Sequence, residues 1–155
     1  TTAQFFNTGA AHSMGFELQG ERRWDNGRLI KLSWTYNQTD MRDETSENHW
    51  AHAINSPRNL VKVHYTEPLF NDRMRLGLEE IFIDKRRTLS GETAPAYHLF
   101  NINITATKPF FGFLPSVGIY NVLDQHPKMV GGSEHIQDTL RMDGRTVRFR
   151  LERGF

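Results

Sequence analysis

Counting back from Phe155 by twos gives Arg153, Leu151, Phe149 and Val147, while Glu152, Arg150, Arg148 and Thr146 lie between them. A β-strand sends alternate side chains to opposite faces, so this segment reads as a strand with one largely apolar and one polar face. The same period recurs upstream. Met14, Phe16, Leu18 and Trp24 alternate with Gly15, Glu17, Gln19 and Arg23, and Ile30, Leu32, Trp34 and Tyr36 alternate with Lys31, Ser33, Thr35 and Asn37. Between these two runs Asp25-Asn26-Gly27 supplies residues that tolerate positive φ, which predicts a hairpin. Val61, Val63 and Tyr65 alternate with Lys62, His64 and Thr66, and Met74, Leu76 and Leu78 with Arg75, Gly77 and Glu79. Glu80 and Ile81 break phase, which predicts a bulge there. Phe100, Ile102, Ile104 and Ala106 against Asn101, Asn103, Thr105 and Thr107 form the cleanest alternation, and Val117 and Ile119 continue it after a turn. Seven strands are expected in all.

The connections fall into two classes that alternate strictly. Asp25–Arg28, Glu67–Arg73 and Lys108–Gly112 are short, whereas Met41–Ser56, Thr88–Ala96 and Gln125–Asp138 are long. Transmembrane β-barrels have short periplasmic turns, long external loops, an apolar lipid face and a polar lumen. On that reading Trp24, Tyr65 and Phe155 lie at the periplasmic ends and Trp34 and Tyr36 toward the external ends, as interfacial aromatics. The fold class is therefore all-β, an antiparallel transmembrane barrel. An odd strand number would leave two unpaired edges in hydrocarbon, where each unsatisfied backbone group costs several kcal/mol. The chain is thus expected to be the closing third of a larger barrel.

Composition changes this picture little. At 37% hydrophobic the chain would also suit one soluble domain. No apolar run approaches the roughly 18 residues of a membrane-spanning helix, and strands escape that test because their lumen-facing residues are polar. A formal net charge of +1 gives no field favouring nucleic acid. The lack of cysteine excludes disulfides and thiolate metal sites. The chain opens at Thr1 without an initiator Met or an apolar signal core, which reads as a processed chain or the end of a longer one.

Several stretches then carry a resemblance. Asn7-Thr8-Gly9 with Met14-Gly15-Phe16-Glu17-Leu18, then Asn55-Ser56-Pro57-Arg58-Asn59-Leu60, Ile119-Tyr120-Asn121-Val122-Leu123-Asp124 and Asp143-Gly144-Arg145-Thr146 resemble, in that order, the C-terminal barrel of TonB-dependent receptors. The resemblance spans essentially all of residues 1–155 and implies part of a 22-stranded bacterial outer-membrane transporter. Such a transporter imports a siderophore, cobalamin, haem or sugar with energy delivered through TonB. It implies as partners outer-membrane lipid, the barrel assembly machinery, and the plug domain and N-terminal strands, which these residues do not include. Val147, Phe149, Leu151 and Phe155 form the C-terminal strand read during assembly. The same resemblance implies no catalytic role and no cofactor.

Candidate contacts are weighed against plainer roles. Arg86, Arg87 and Tyr97 at the external mouth suit an anionic siderophore, although a charged loop base is the ordinary reading. His49 and His52, three apart in an acidic loop, have metal-ligand spacing, but solvated loop histidines are more common, and no metal site is assigned. Glu17, Glu21, Lys31, Lys62, Arg75, Glu79, Arg148 and Arg150 would line the lumen and pair with one another or with a plug. Arg22 and Arg153 point outward near the periplasmic end, where snorkelling tolerates charge. No serine-hydrolase, zinc-protease or phosphate-loop motif is present. Two further readings stay open: a self-contained small outer-membrane barrel with an adhesive, scaffold or hydrolase role, needing an eighth strand from Thr1 to Ala11, and a soluble lipocalin-like binder with the two faces reversed.

Overall fold

The computed structural model describes residues 9–43 and 50–153, and these are all strand, turn or loop. Seven strands follow one another in an antiparallel meander: β1 (Gly9–Arg23), β2 (Leu29–Asp43), β4 (Asn59–Leu69), β5 (Met74–Ile83), β8 (Tyr97–Ala106), β9 (Phe113–Tyr120) and β12 (Thr146–Arg153). Their order in the sheet is their order in the chain. A short β3 (Trp50–His52) adds to the far end of β2, and two small hairpins lie in the later long connections: β6 (Arg86–Arg87) with β7 (Thr93–Ala94), and β10 (Lys128–Val130) with β11 (Thr139–Arg141).

Cross-strand pairing puts the alternating apolar residues on one face. Leu18 opposes Trp34, Leu32 opposes Val63, Leu78 opposes Ile102, Ile104 opposes Val117, and Phe149 opposes Val117 from the other side. That face is not covered: Leu18 is 57% and Phe149 71% exposed. Among the described residues the buried apolar side chains are only Ala53, Ala94, Tyr97, Ala106 and Pro127. The chain's accessible surface of 11584 Å² greatly exceeds the roughly 8,000 Å² of a compact 18.0 kDa monomer. The molecule is a single layer.

The turns explain how the layer folds back on itself. Gly27 (φ 86°) closes the first hairpin, with its N–H donating to Trp24 O at 3.0 Å. Phe111 (φ 51°) and Gly112 (φ 82°) form the two centre residues of the third, where Phe110 and Phe113 exchange backbone bonds of 2.7 and 3.0 Å. That is the primed two-residue turn whose twist suits antiparallel strands. The second is different, because Phe70, Asn71 and Asp72 are all left-handed, at φ 54, 56 and 58°. For a Phe this costs about 1 kcal/mol or more.

Three expectations are corrected. Strands β1 and β2 run well beyond Met14 and Asn37 into sequence read as rim and loop. There Ser13 bonds Thr39 at 2.8 Å and Asn37 at 3.1 Å, so a wet ladder continues without an apolar face. Glu67 and Pro68 remain in β4 rather than in the turn, and Pro68 lies past the last pair with β2, where no ladder bond to β2 needs its missing N–H. No bulge interrupts β5: its ladders to β4 and β8 pass through Glu80 and Ile81 in unbroken register. Glu80 stays on the apolar face because His98 Nδ1 meets its carboxylate at 2.9 Å. Residues Thr1–Thr8, Glu44–His49, Gly154 and Phe155, which include His49 and the terminal aromatic, lie outside the described residues.

The strands are also staggered in one direction. A row perpendicular to them runs Ile30, Tyr65, Leu78, Ile102, Ile119 and Val147. Ile30 lies about four residues from the middle of its hairpin turn, Tyr65 and Leu78 about six or seven, and Ile102 and Ile119 about eight or nine. The shift is a little over one residue per strand. At ~3.4 Å per residue and ~4.8 Å between strands, turns at one level then mean strands inclined by about 40°.

At the opposite end Asn121 ties three strands together. It is buried, and its N–H donates to Asn101 Oδ1 at 2.9 Å, while its side-chain amide donates to Gln125 O at 2.6 Å and accepts from Gln125 N–H at 3.0 Å. Asp124 Oδ1 then accepts the Arg145 N–H at 2.7 Å, linking the exit of β9 to the start of β12. Asn121→Ala strands these groups and removes a residue suited to φ 53°. We expect it to cost about 2–3 kcal/mol, read as a lower urea midpoint in detergent, with Leu123→Ala, whose side chain is exposed, nearly unchanged.

Candidate functional site

The alternation that exposes the apolar face gathers the polar residues on the other. Glu17, Gln19 and Glu21 on β1 face Thr35, Ser33 and Lys31 on β2, and Lys62 and His64 on β4 continue the row toward Glu79 on β5 and Asn101 on β8. Two hollows open on this face. One, of about 550 Å³, is lined by Gln19, Glu21, Lys31, Ser33, Lys62, His64 and Glu79, with Gly20, Leu32 and Val63 between them. The other, of about 510 Å³, lies among Asn103, Thr105, Ser116, Gly118, Tyr120, Arg148 and Arg150, with Val117 and Phe149 between them.

Its charges are partly matched. Lys31 Nζ meets Glu21 at 3.0 Å, and Asn101 donates to Glu79 at 2.7 Å. Arg150 pairs with Glu152, whereas the Arg148 guanidinium lies 4.9 Å over the Tyr120 ring. Arg75 leaves this row for Asp72 in the turn, at 3.1 Å. Asn103 leans over Gly77, and Tyr120 over Gly118, so the two glycines that flank Asn103 in register make room for their neighbours. Of the outward cations, Arg22 stacks 4.8 Å over Trp24 and Arg153 5.9 Å over Phe113, both at the short-turn end.

A third cavity, of about 280 Å³, sits at the long-connection end. It gathers three residues picked out from the sequence, Arg86, Arg87 and His52, with Arg58, Asp84, Lys85, Gly91 and Thr93. Tyr97 is present indirectly, its ring 5.2 Å from the buried Arg86 guanidinium. Arg58 was overlooked because it stands alone before β4, and Lys85 because only the neighbouring Arg86-Arg87 pair was singled out. The β4–β5 register, extended one step past Asn59 and two past Ile83, sets Arg58 and Lys85 opposite each other. His52 uses Nε2–H toward Ser56 O at 2.7 Å, and its Nδ1 is buried and unpartnered, 3.6 Å from the Asp40 carboxylate. Among the described residues no three acidic or histidine side chains converge as a metal site. The four residues of the closing strand divide differently: Val147, Phe149 and Leu151 lie exposed on the apolar face, and Phe155 is outside the described residues.

The two later loops form one cap, joined to this cavity through Arg86. Ser90 donates its N–H and hydroxyl to the Asp138 carboxylate at 3.0 and 2.7 Å, and Arg86 Nη2 donates to Lys128 O at 2.7 Å. The Thr88 and Ser90 hydroxyls hold the Asp138 carboxyl below its ordinary value of 3.8. The Arg145 backbone N–H does the same for Asp124. Because Asp138 is depressed on folding, its contribution is complete above 3.8 and is lost only as pH falls through the lower folded value. An NMR titration of the Ser90 amide should therefore inflect below pH 3.8 and go flat in Asp138→Ala; an inflection at or above 3.8 would remove the hydroxyls as the cause.

No protein-family model, no curated protein and no solved structure matches the chain.

Proposed function

We propose that this sheet is a section of the wall of an outer-membrane transport barrel, with lipid against the apolar face and the substrate pathway along the polar one. One observation carries the reading: the apolar side chains share one face with no layer packed on it among the described residues, while the opposite face carries the charge pairs and two hollows. A soluble barrel or lipocalin-like binder needs the reverse, since its apolar side chains must face inward to leave water. The stagger supports the same reading, because about 40° falls within the 35–45° inclination of membrane barrel strands. So do Phe70, Phe110 and Phe111, exposed at the short turns, where an interfacial belt accepts aromatic rings that water does not.

The free edges of β1 and β12 pair with further strands of the same barrel, which leaves no backbone donor or acceptor in hydrocarbon. Cargo is a nutrient too large for simple diffusion, a ferric siderophore, cobalamin or haem by the resemblance in the sequence, and TonB-supplied energy acts through a plug outside these residues. The chain's own part is a wall rather than a catalyst. Lys62, Arg148 and Arg150 give the pathway its cationic stripe, and Glu21 and Glu79 balance it on one side.

The facing is tested by a pair of neighbours. Ile102→Arg puts a charge at the lipid midplane, at a cost of roughly 2–4 kcal/mol, whereas Asn103→Arg enters the polar side between two glycines. Heat-modifiable gel mobility and surface protease resistance should be lost in the first and kept in the second. Equal behaviour of the two variants would sink the membrane assignment.

A further inference from the structure

We infer that the cavity joined to the cap is a binding site for a small soluble oxyanion, a phosphate or a compact polycarboxylate. Four permanent cations line it, Arg58, Lys85, Arg86 and Arg87, against one lining carboxylate, Asp84, with Asp40 beside His52 and within electrostatic reach of Arg58. The Asp84 carboxylate is already engaged elsewhere, accepting from the Asn59 amide at 2.8 Å and from the Lys85 backbone N–H at 2.8 Å.

The arginines are positioned without being neutralised. Arg86 is 6% exposed, donates through Nη2 to Lys128 O, and leaves its buried Nε–H unpartnered. Arg87 donates through Nη1 to His52 O at 3.3 Å. Carbonyl oxygens fix a guanidinium's direction but cancel no charge. A buried cation without a counter-charge is costly unless an anion completes it. Among the described residues Arg58 and Lys85 form no ion pair of the salt-bridge kind, so two exposed cations join two that hydrogen bonds hold in place. Guanidinium forks match the paired oxygens of phosphate and carboxylate groups. The volume sits at the lower limit of ligand pockets, which selects a small group.

The inference rests on this cavity alone and does not depend on which face meets lipid. The experiment is calorimetric titration of the whole protein in detergent with inorganic phosphate and, separately, with citrate. The expected result is one saturable site for at least one of the two, weakening as sodium chloride rises, and weakened roughly tenfold or more in the Arg58→Ala/Lys85→Ala double variant. Both residues are exposed, unlike the buried Arg86, and an unchanged circular dichroism spectrum shows that the variant keeps its fold. Saturation by phosphate alone assigns a phosphate group, and by citrate alone a polycarboxylate. No saturable binding of either anion, or equal affinity in the double variant, overturns the site.

Discussion

The backbone ladder is what holds this molecule in shape. In an ordinary domain a sheet is kept flat against a second layer by buried side chains, and hydrogen bonds follow. Here the second layer is missing among the described residues, so the antiparallel registers from β1 to β12, continuous except where β8 and β9 shift by two before their turn, carry the architecture. Net backbone bonds are worth only about 1 kcal/mol each against water, and an uncovered ladder in water is marginal. The same ladder in hydrocarbon is enforced, because each broken bond there has no water to replace it. A two-faced single layer is consistent with a chain built for two solvents.

That dependence explains what could be read from residues alone. Every strand of the meander follows from period-two alternation, and the order of pairing follows from the alternation of short and long connections. Strand ends were the failure. Ser13, Asn37 and Thr39 extend the first hairpin by polar cross-strand bonds that leave no apolar signature, and β3 hides in the same polar stretch. The supposed bulge at Glu80 failed for a complementary reason: a charge on the apolar face reads as a phase error until His98, eighteen residues on, is seen beside it.

The basic cavity was half visible. Lys85, Arg86 and Arg87 stand together in the sequence, whereas Arg58 is a single cation at the other end of the β4–β5 hairpin. Only the register joins them. Asn121 shows the converse, for the Tyr120-Asn121-Val122-Leu123-Asp124 stretch resembled a family pattern without revealing its use. The structure gives that use a physical form: a buried amide with a left-handed backbone that sets where β9 stops and β12 starts, and hence where the cap stands.

The cap has its own consequence for how such a sheet can change. Asp138 of one loop is held by Ser90 of the other, and Arg86 of the first reaches Lys128 of the second, so the two loops are one folded unit drawn from separate stretches of chain. External loops are commonly regarded as exchangeable modules, each free to vary while the strands stay fixed. These two are not independent in that sense. A graft or recombination that imports either loop without the other leaves a carboxylate or a guanidinium without its opposite number, so inheritance and engineering alike must move them as a pair.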